Sequence, residues 1–192
     1  MENKKISTQS LVLGAILTAI VVVLQFMGSF IKFGPFSISL VLIPIVIGAA
    51  TCGVSIGAWL GFVFGVVVLL SGDAAAFLAV NVVGTVVTVL LKGTLCGYLA
   101  GLTYKLLANK NKLLAVIASA VVCPIVNTGI FLLGCLVFFM DTIIGWAAAA
   151  GHGGGVVYYM IFVLVGANFL FELLVNIVVS PIIVRLLNIK RG

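Results

Sequence analysis

Four residues between positions 81 and 92 carry the polar chemistry of an otherwise apolar stretch, NVVGTVVTVLLKG. Asn81, Thr85, Thr88 and Lys92 follow one another at intervals of four, three and four residues, the spacing of one face of an α-helix. An amide, two hydroxyls and an ammonium on one face can hydrogen-bond a hydrophilic molecule and offset one negative charge. A second set lies downstream: Asn168, Glu172 and Asn176 recur every four residues, and Asn127 and Thr128 follow Pro124. Bond-breaking chemistry has no matching pattern. There is no histidine paired with a serine or cysteine nucleophile, no close carboxylate pair and no phosphate loop. Cys52, Cys96, Cys123 and Cys135 form no CxxC pair and His152 is the single histidine, which excludes a Cys/His metal site and leaves the thiols as packing groups. The expectation is a binding protein rather than an enzyme, with no catalytic residue, metal or cofactor.

The elements that must position these residues are set by composition. The chain is 64% hydrophobic and only 7% charged, with a mean hydropathy of +1.45, too little polar surface for a soluble domain of 192 residues. Apolar runs of about 18 residues recur along it, so an all-α integral membrane protein is expected. No linker interrupts them, which makes residues 1–192 a single membrane domain. Turn signals and polar breaks place six helices at about 10–30, 37–51, 54–71, 75–104, 113–139 and 156–187. The second is short and contains Pro44, so it is expected to be brief or kinked. The first apolar run, from Leu11, is about twice as long as a signal-peptide core and lacks a small-x-small cleavage site, so it is read as the first membrane helix.

Basic residues fix the expected orientation. Lys4 and Lys5, then Lys105, Lys110 and Lys112, then Arg185, Lys190 and Arg191 fall on one side of a six-helix alternation, which is the cytoplasmic side. Both termini are then inside. The net charge of +6 reflects these helix ends and implies no nucleic-acid partner. The other side carries Lys32, Asp73, Asp141 and His152 in its loops.

Counted from that outer side, Lys92 lies about 15 residues, or roughly 22 Å, deep, and Glu172 about as deep on the sixth helix. A lysine at that depth costs roughly 2.5–3.5 kcal/mol on insertion scales and needs a partner or a cavity. A structural ion pair with Glu172 is the simplest partner. Asn127, Thr128 and Asn168 at matching depths, with Thr88, Thr85 and Asn81 above, extend the polar face outwards, as a pocket for a small hydrophilic molecule requires. For Asn176, deepest in, helix-to-helix hydrogen bonding is preferred. Lys32, Phe33, Phe36, Asp73, Trp146 and His152 in the outer loops could cover the pocket; the alternatives are an interfacial anchor for Trp146 and an exposed loop residue for His152. The first three helices have almost no polar side chain at membrane depth. Gly53, Gly57, Gly61 and Gly65 make a smooth face for close helix packing, and Ala15 and Ala19 make a shorter one on the first helix.

Taken in order, GAILTAI, LIPIVIGAATCGVSIGAWLGFVFG, CPIVNT and ANFLFELLVNIVVSPIIVRLL resemble the substrate-binding S components of energy-coupling factor (ECF) vitamin transporters, over essentially the whole chain. The resemblance implies a subunit without its own ATPase. It captures a water-soluble vitamin or precursor at the outer face of the plasma membrane of a bacterium, using outer loops and the last three helices. Its partners are a membrane T subunit and two cytoplasmic ATPases, and it is expected to topple in the bilayer to release its cargo. Ala15 and Ala19 match the family's AxxxA docking motif, and Asn127 and Asn168 match its ligand-facing positions. Riboflavin-type members place a lysine three residues after the sixth-helix asparagine, where this chain has Phe171, so riboflavin is disfavoured. A free Lys92 favours an acidic vitamin such as pantothenate. The competing class is a self-contained secondary transporter or channel gated by Lys92 and Glu172, but polar residues fade below Asn176, leaving only Ser180 before Arg185.

Overall fold

The computed structural model describes residues 8–29, 32–33, 36–37, 40–153 and 155–189. Lys4, Lys5, Lys190 and Arg191, the Gly34–Pro35 turn and the side chains of Lys32, Phe33, Phe36, Ser180 and Arg185 lie outside what is described. The described residues are helical apart from turns and one two-residue β-ladder. In that ladder β1 (Lys32–Phe33) pairs antiparallel with β2 (Phe36–Ser37).

Four helical segments are long and apolar enough to cross a membrane. They are α1 (Thr8–Ser29), α5 (Val82–Leu107), α6 (Lys112–Phe138) and the segment Val156–Val179. Two shorter apolar helices, α2 (Leu42–Cys52) and α3 (Val54–Leu70), stand between α1 and the rest. In a bilayer core without water, a helix satisfies every N–H and C=O within its own segment. The chain is therefore a multi-pass membrane protein.

Several boundaries differ from the sequence expectation, each for a local reason. The second helix begins at Leu42 rather than 37, since Ser37 pairs in the ladder. Pro44 falls in its first turn, where no N–H is needed, so it starts the helix without kinking it. The expected helix over 75–104 is broken: α4 (Ala75–Leu78) ends, the chain turns, and α5 starts only at Val82. Asn81 makes the break. Its backbone is extended and its side-chain oxygen accepts from Gly84 N at 2.9 Å, ending one helix and capping the next. The segment read as an irregular outer loop, 140–155, instead contains α7 (Met140–Ala149). The last rod is not one α-helix: α8 (Val156–Tyr158) passes into a π-helical turn (Tyr159–Leu164) before α9 (Gly166–Ile189).

Packing is dominated by α3 on α5 and α5 on α6, with α9 beside α6 and α1 on α2 and α3. The glycine face of α3 meets a second one. Cβ atoms built at Gly61 and Gly57 run into the carbonyl oxygens of Gly93 and Gly97, and Cβ atoms at Gly93 and Gly97 run into those of Gly61 and Gly57. At Gly65 a Cβ would lie 2.9 Å from the Val89 carbonyl oxygen. The two backbones are thus in direct contact over three turns, which only glycine permits. This contact holds α5 so that Thr85, Thr88 and Lys92 stand to one side of it.

Two apolar clusters form around this spine. The larger joins α1, α2, α3, α5 and α6 through Val21, Ile45, Leu60, Phe64, Cys96 and Val116. The smaller gathers Phe77, Phe139, Ile143, Tyr159, Leu164 and Val165 from α4, the α6–α7 junction and the π-turn. Between them a space is left unfilled.

Candidate functional site

The unfilled space is a cavity walled by α1, the end of α3 and the turn after it, α4, α5, α6 and the last rod. The C-terminal turns of α1 and α3 contribute Gln25, Phe64 and Val68, and the following turn contributes Asp73 and Ala74. Phe77 of α4, then Thr85, Thr88, Val89 and Lys92 of α5, continue the wall. The C-terminal half of α6 adds Asn127, Thr128, Phe131 and Phe139, and the last rod adds Val165, Asn168, Phe169 and Glu172. Water-sized molecules find about 80 Å³ of room for their centres in it, and the empty volume is about 760 Å³ once space open to solvent is counted; one buried water needs only about 15 Å³ on the first measure. Lys105, Lys110 and Lys112 sit at the opposite end of the bundle, at and beyond the far end of α5.

Lys92 does not float in this space. Its ammonium lies 5.5 Å from the ring centroid of Phe64 and 5.6 Å from that of Phe131, within range of a cation–π attraction to both. The carboxylates of Glu172 and Asp73 both act electrostatically on it. Glu172 is only 4% exposed, so its charge depends on neighbours inside the protein. Gln25, only 2% exposed, donates from Nε2 to Asp73 Oδ2 at 2.5 Å, tying α1 to the turn after α3 at the cavity wall.

Two buried polar atoms of wall residues have no hydrogen-bond partner among the described residues: Thr88 Oγ1 and Asn127 Oδ1. Burying such a group unsatisfied costs about 1–3 kcal/mol, so native proteins keep them where something else completes the bond. Thr88 is held in place from behind, because its side chain packs directly over Gly134 of α6, leaving no room there for a Cβ. Thr85 spends its hydroxyl differently, donating to the Asn81 carbonyl at 2.7 Å.

Of the residues singled out from sequence, Thr85, Thr88, Lys92, Asn127, Thr128, Asn168 and Glu172 come together on this one cavity. Asn81 does not reach it; it is the cap of α5. Trp146 stands one ring back, edge-on to Phe77 at 5.4 Å, while Phe77 itself meets Phe131 and Phe139. Asn176 donates to the Glu172 carbonyl of its own helix at 2.8 Å and is not part of the wall. Ala15 and Ala19 are exposed on the outward side of α1, flanked by exposed Val12, Ile16, Ile20 and Val23.

Gln25 was missed, and it corrects the view that the first three helices are apolar at depth; Asp73, expected in an outer loop over the pocket, lines the cavity wall. The signal was present: Gly14, Leu17, Val21, Gln25 and Gly28 are the buried residues of α1, and their spacing of three and four places Gln25 on the inward face. Phe64, Phe131 and Phe169 carried no signal, since apolar residues in an apolar chain mark no site.

The cap role makes a direct prediction. Asn81→Ala should lower stability by about 1 kcal/mol, seen as a fall of a few degrees in thermal unfolding in detergent. Ligand affinity should stay within about twofold of the parent, because the side chain does not line the cavity.

The family model for the substrate-specific component of ECF transporters matches residues 9–184. The chain belongs to this family. S components bind a small-molecule substrate and work with an ECF module, and they are transporter subunits rather than enzymes. No curated protein and no solved structure matches the chain significantly.

Proposed function

We propose that this S component is the membrane-embedded capture subunit for a water-soluble vitamin or precursor. It takes its cargo from outside the cell and passes it inwards through a T subunit driven by two cytoplasmic ATPases. The carrying observation is the cavity, polar and aromatic, confined to one half of the bundle and backed by the glycine-packed α3–α5 contact. Six crossings with both termini cytoplasmic, in a bacterial plasma membrane, would open that half outwards and put the lysines between α5 and α6 inside. Below Lys92 the buried face of α5 is Gly93, Cys96, Gly97 and Ala100, and these four residues offer no polar side chain to continue a path. That favours a binding cup over a channel or secondary transporter. Exposed Ala15 and Ala19 offer α1 as the close-approach face for the T subunit. Within the vitamin class, Lys92 taken alone favours an acidic cargo such as pantothenate, while Asp73 and Glu172 beside it weigh the other way.

The test is a tryptophan-fluorescence titration of the purified full chain against water-soluble vitamins and their precursors. Trp146 touches Phe77, a wall residue, and should report occupancy. Trp59, 52% exposed, contributes a constant background that Trp59→Phe removes. Saturable binding of one compound at nanomolar concentration, without ATP or any partner, is expected. Silence across the panel from folded protein defeats the capture reading, and ion flux through the chain in liposomes would then establish the channel.

A further inference from the structure

We infer that the bilayer is notched at the α2–α3 turn, on the face away from the cavity, where water and lipid headgroups reach in to the backbone of that turn. This holds whatever the cavity binds. The first ground is length. α2 has 11 residues and α3 has 17, about 16 and 25 Å of helix, against a hydrocarbon thickness of about 30 Å. Both end at Gly53. The neighbouring helices pass this turn and go on. A Cβ at Gly101 of α5 would lie 2.9 Å from the Cα of Val54, yet α5 ends only at Leu107, about 9 Å further. On α6, Ser119 Oγ donates to the Ala100 carbonyl at 2.9 Å, which sets the level, and that helix starts at Lys112, about 10 Å beyond it. α1 passes Ile56 at Gly14 and continues to Thr8. Lys105, Lys110 and Lys112, the charges that mark the water edge, all lie at the overshooting ends of α5 and α6, so the turn stops short of that edge.

The second ground is the backbone and is independent of length. The last carbonyls of α2 and the first N–H groups of α3 have no partner inside their own helices. Gly53 offers no side chain to cap α3, and the Thr51 hydroxyl donates back to the Ile47 carbonyl at 2.7 Å. Bare helix ends are not tolerated in hydrocarbon where lipid has access to them, so water must complete these bonds. The third ground is openness. Thr51, Cys52, Gly53 and Val54 are half-buried and Ser55 is exposed. Among the described residues nothing stands within 4 Å of a Cβ built at Gly53. Three of the five residues at the turn, Thr51, Cys52 and Ser55, carry small side chains that water can solvate.

The experiment uses the chain's own thiol. Cys96, Cys123 and Cys135 are buried while Cys52 is half-buried, so the parent offers one thiol to a reagent dissolved in water. The full chain in lipid nanodiscs, with both faces open to buffer, is treated with a charged maleimide, and the modified peptide is mapped by mass spectrometry. The maleimide adds to a thiolate, which forms in water and not in hydrocarbon. Three variants built on Cys52→Ala set the scale: Lys110→Cys in the α5–α6 connection, Ile125→Cys, 48% exposed at the middle of α6, and Ser55→Cys at the turn itself. Cys52 and Ser55→Cys should react within about tenfold of Lys110→Cys, and Ile125→Cys about 100-fold more slowly or not at all. Ser55→Cys reads the water at the turn free of the packing around Cys52, so its rapid reaction supports the notch even where Cys52 is slow. If both react as slowly as Ile125→Cys, the turn is dry and the inference is overturned.

Discussion

Gly61→Ala is expected to cost about 3 kcal/mol, the upper end of overpacking effects, and to leave little folded protein in mild detergent. A Cβ at this position runs into the carbonyl oxygen and carbon of Gly93. The obstacle is backbone, so no side chain can rotate to make room, and relief requires α3 and α5 to separate along their whole shared face. Because Gly57 and Gly65 make the same close approach on either side, separation at one turn loosens all three. Gly129→Ala in α6 is the matched control: nothing lies within 4 Å of a Cβ there, and its stability should stay within about 1 kcal/mol of the parent. Thermal unfolding of the three proteins in one detergent decides it. Equal melting of Gly61→Ala and the parent would mean that the two helices do not meet as closely as described.

Lys92→Met is expected to be nearly as damaging for an electrostatic reason. It removes the single base in the described wall, and with it the positive charge that acts on buried Glu172 and on Asp73. Breaking a buried charge arrangement by removing one partner costs about 3–5 kcal/mol. Glu172→Gln added to Lys92→Met should recover most of that loss, since it removes the stranded charge and keeps the shape. Melting temperatures of both singles and the double variant measure the coupling between the two positions. If the double is no more stable than Lys92→Met alone, the two residues do not answer to each other's charge.

Much of the site was legible because α5 is a regular helix below its first turn. Thr85, Thr88 and Lys92 keep their face there, and counting residues placed them correctly relative to one another. Asn81 fits the same count but not the same helix, since its own side chain ends the pattern by capping. Helical counting also fails across Tyr159–Leu164, where the π-turn changes the number of residues per turn. Asn168 and Glu172 escape this because both lie beyond it, on regular α9. The helical segment Met140–Ala149 was hidden by its context: its Ala-rich run favours helix, but the glycines from Gly151 onward suggested a loop. The partner of the α3 glycine face was legible and overlooked, as Gly93, Gly97 and Gly101 repeat at the same interval of four. Asp73 was assigned to an outer loop, and only the reach of Gln25 from the first helix shows it turned inward.

The glycine contact also decides where this molecule can give way. Two helices joined by bare backbone, with no intervening side chains to change rotamer, behave as one stiff plank: their fit has a single solution and no slack. The opposite wall is built otherwise, from Phe77 of short α4 meeting Phe131 of α6, Phe139 at the α6–α7 junction and Trp146 of α7 edge to face, contacts that can slide and re-form at small expense. Any widening of the cavity is therefore expected at that aromatic wall, beside the Asn81 break and Phe139, while the plank keeps Lys92 still.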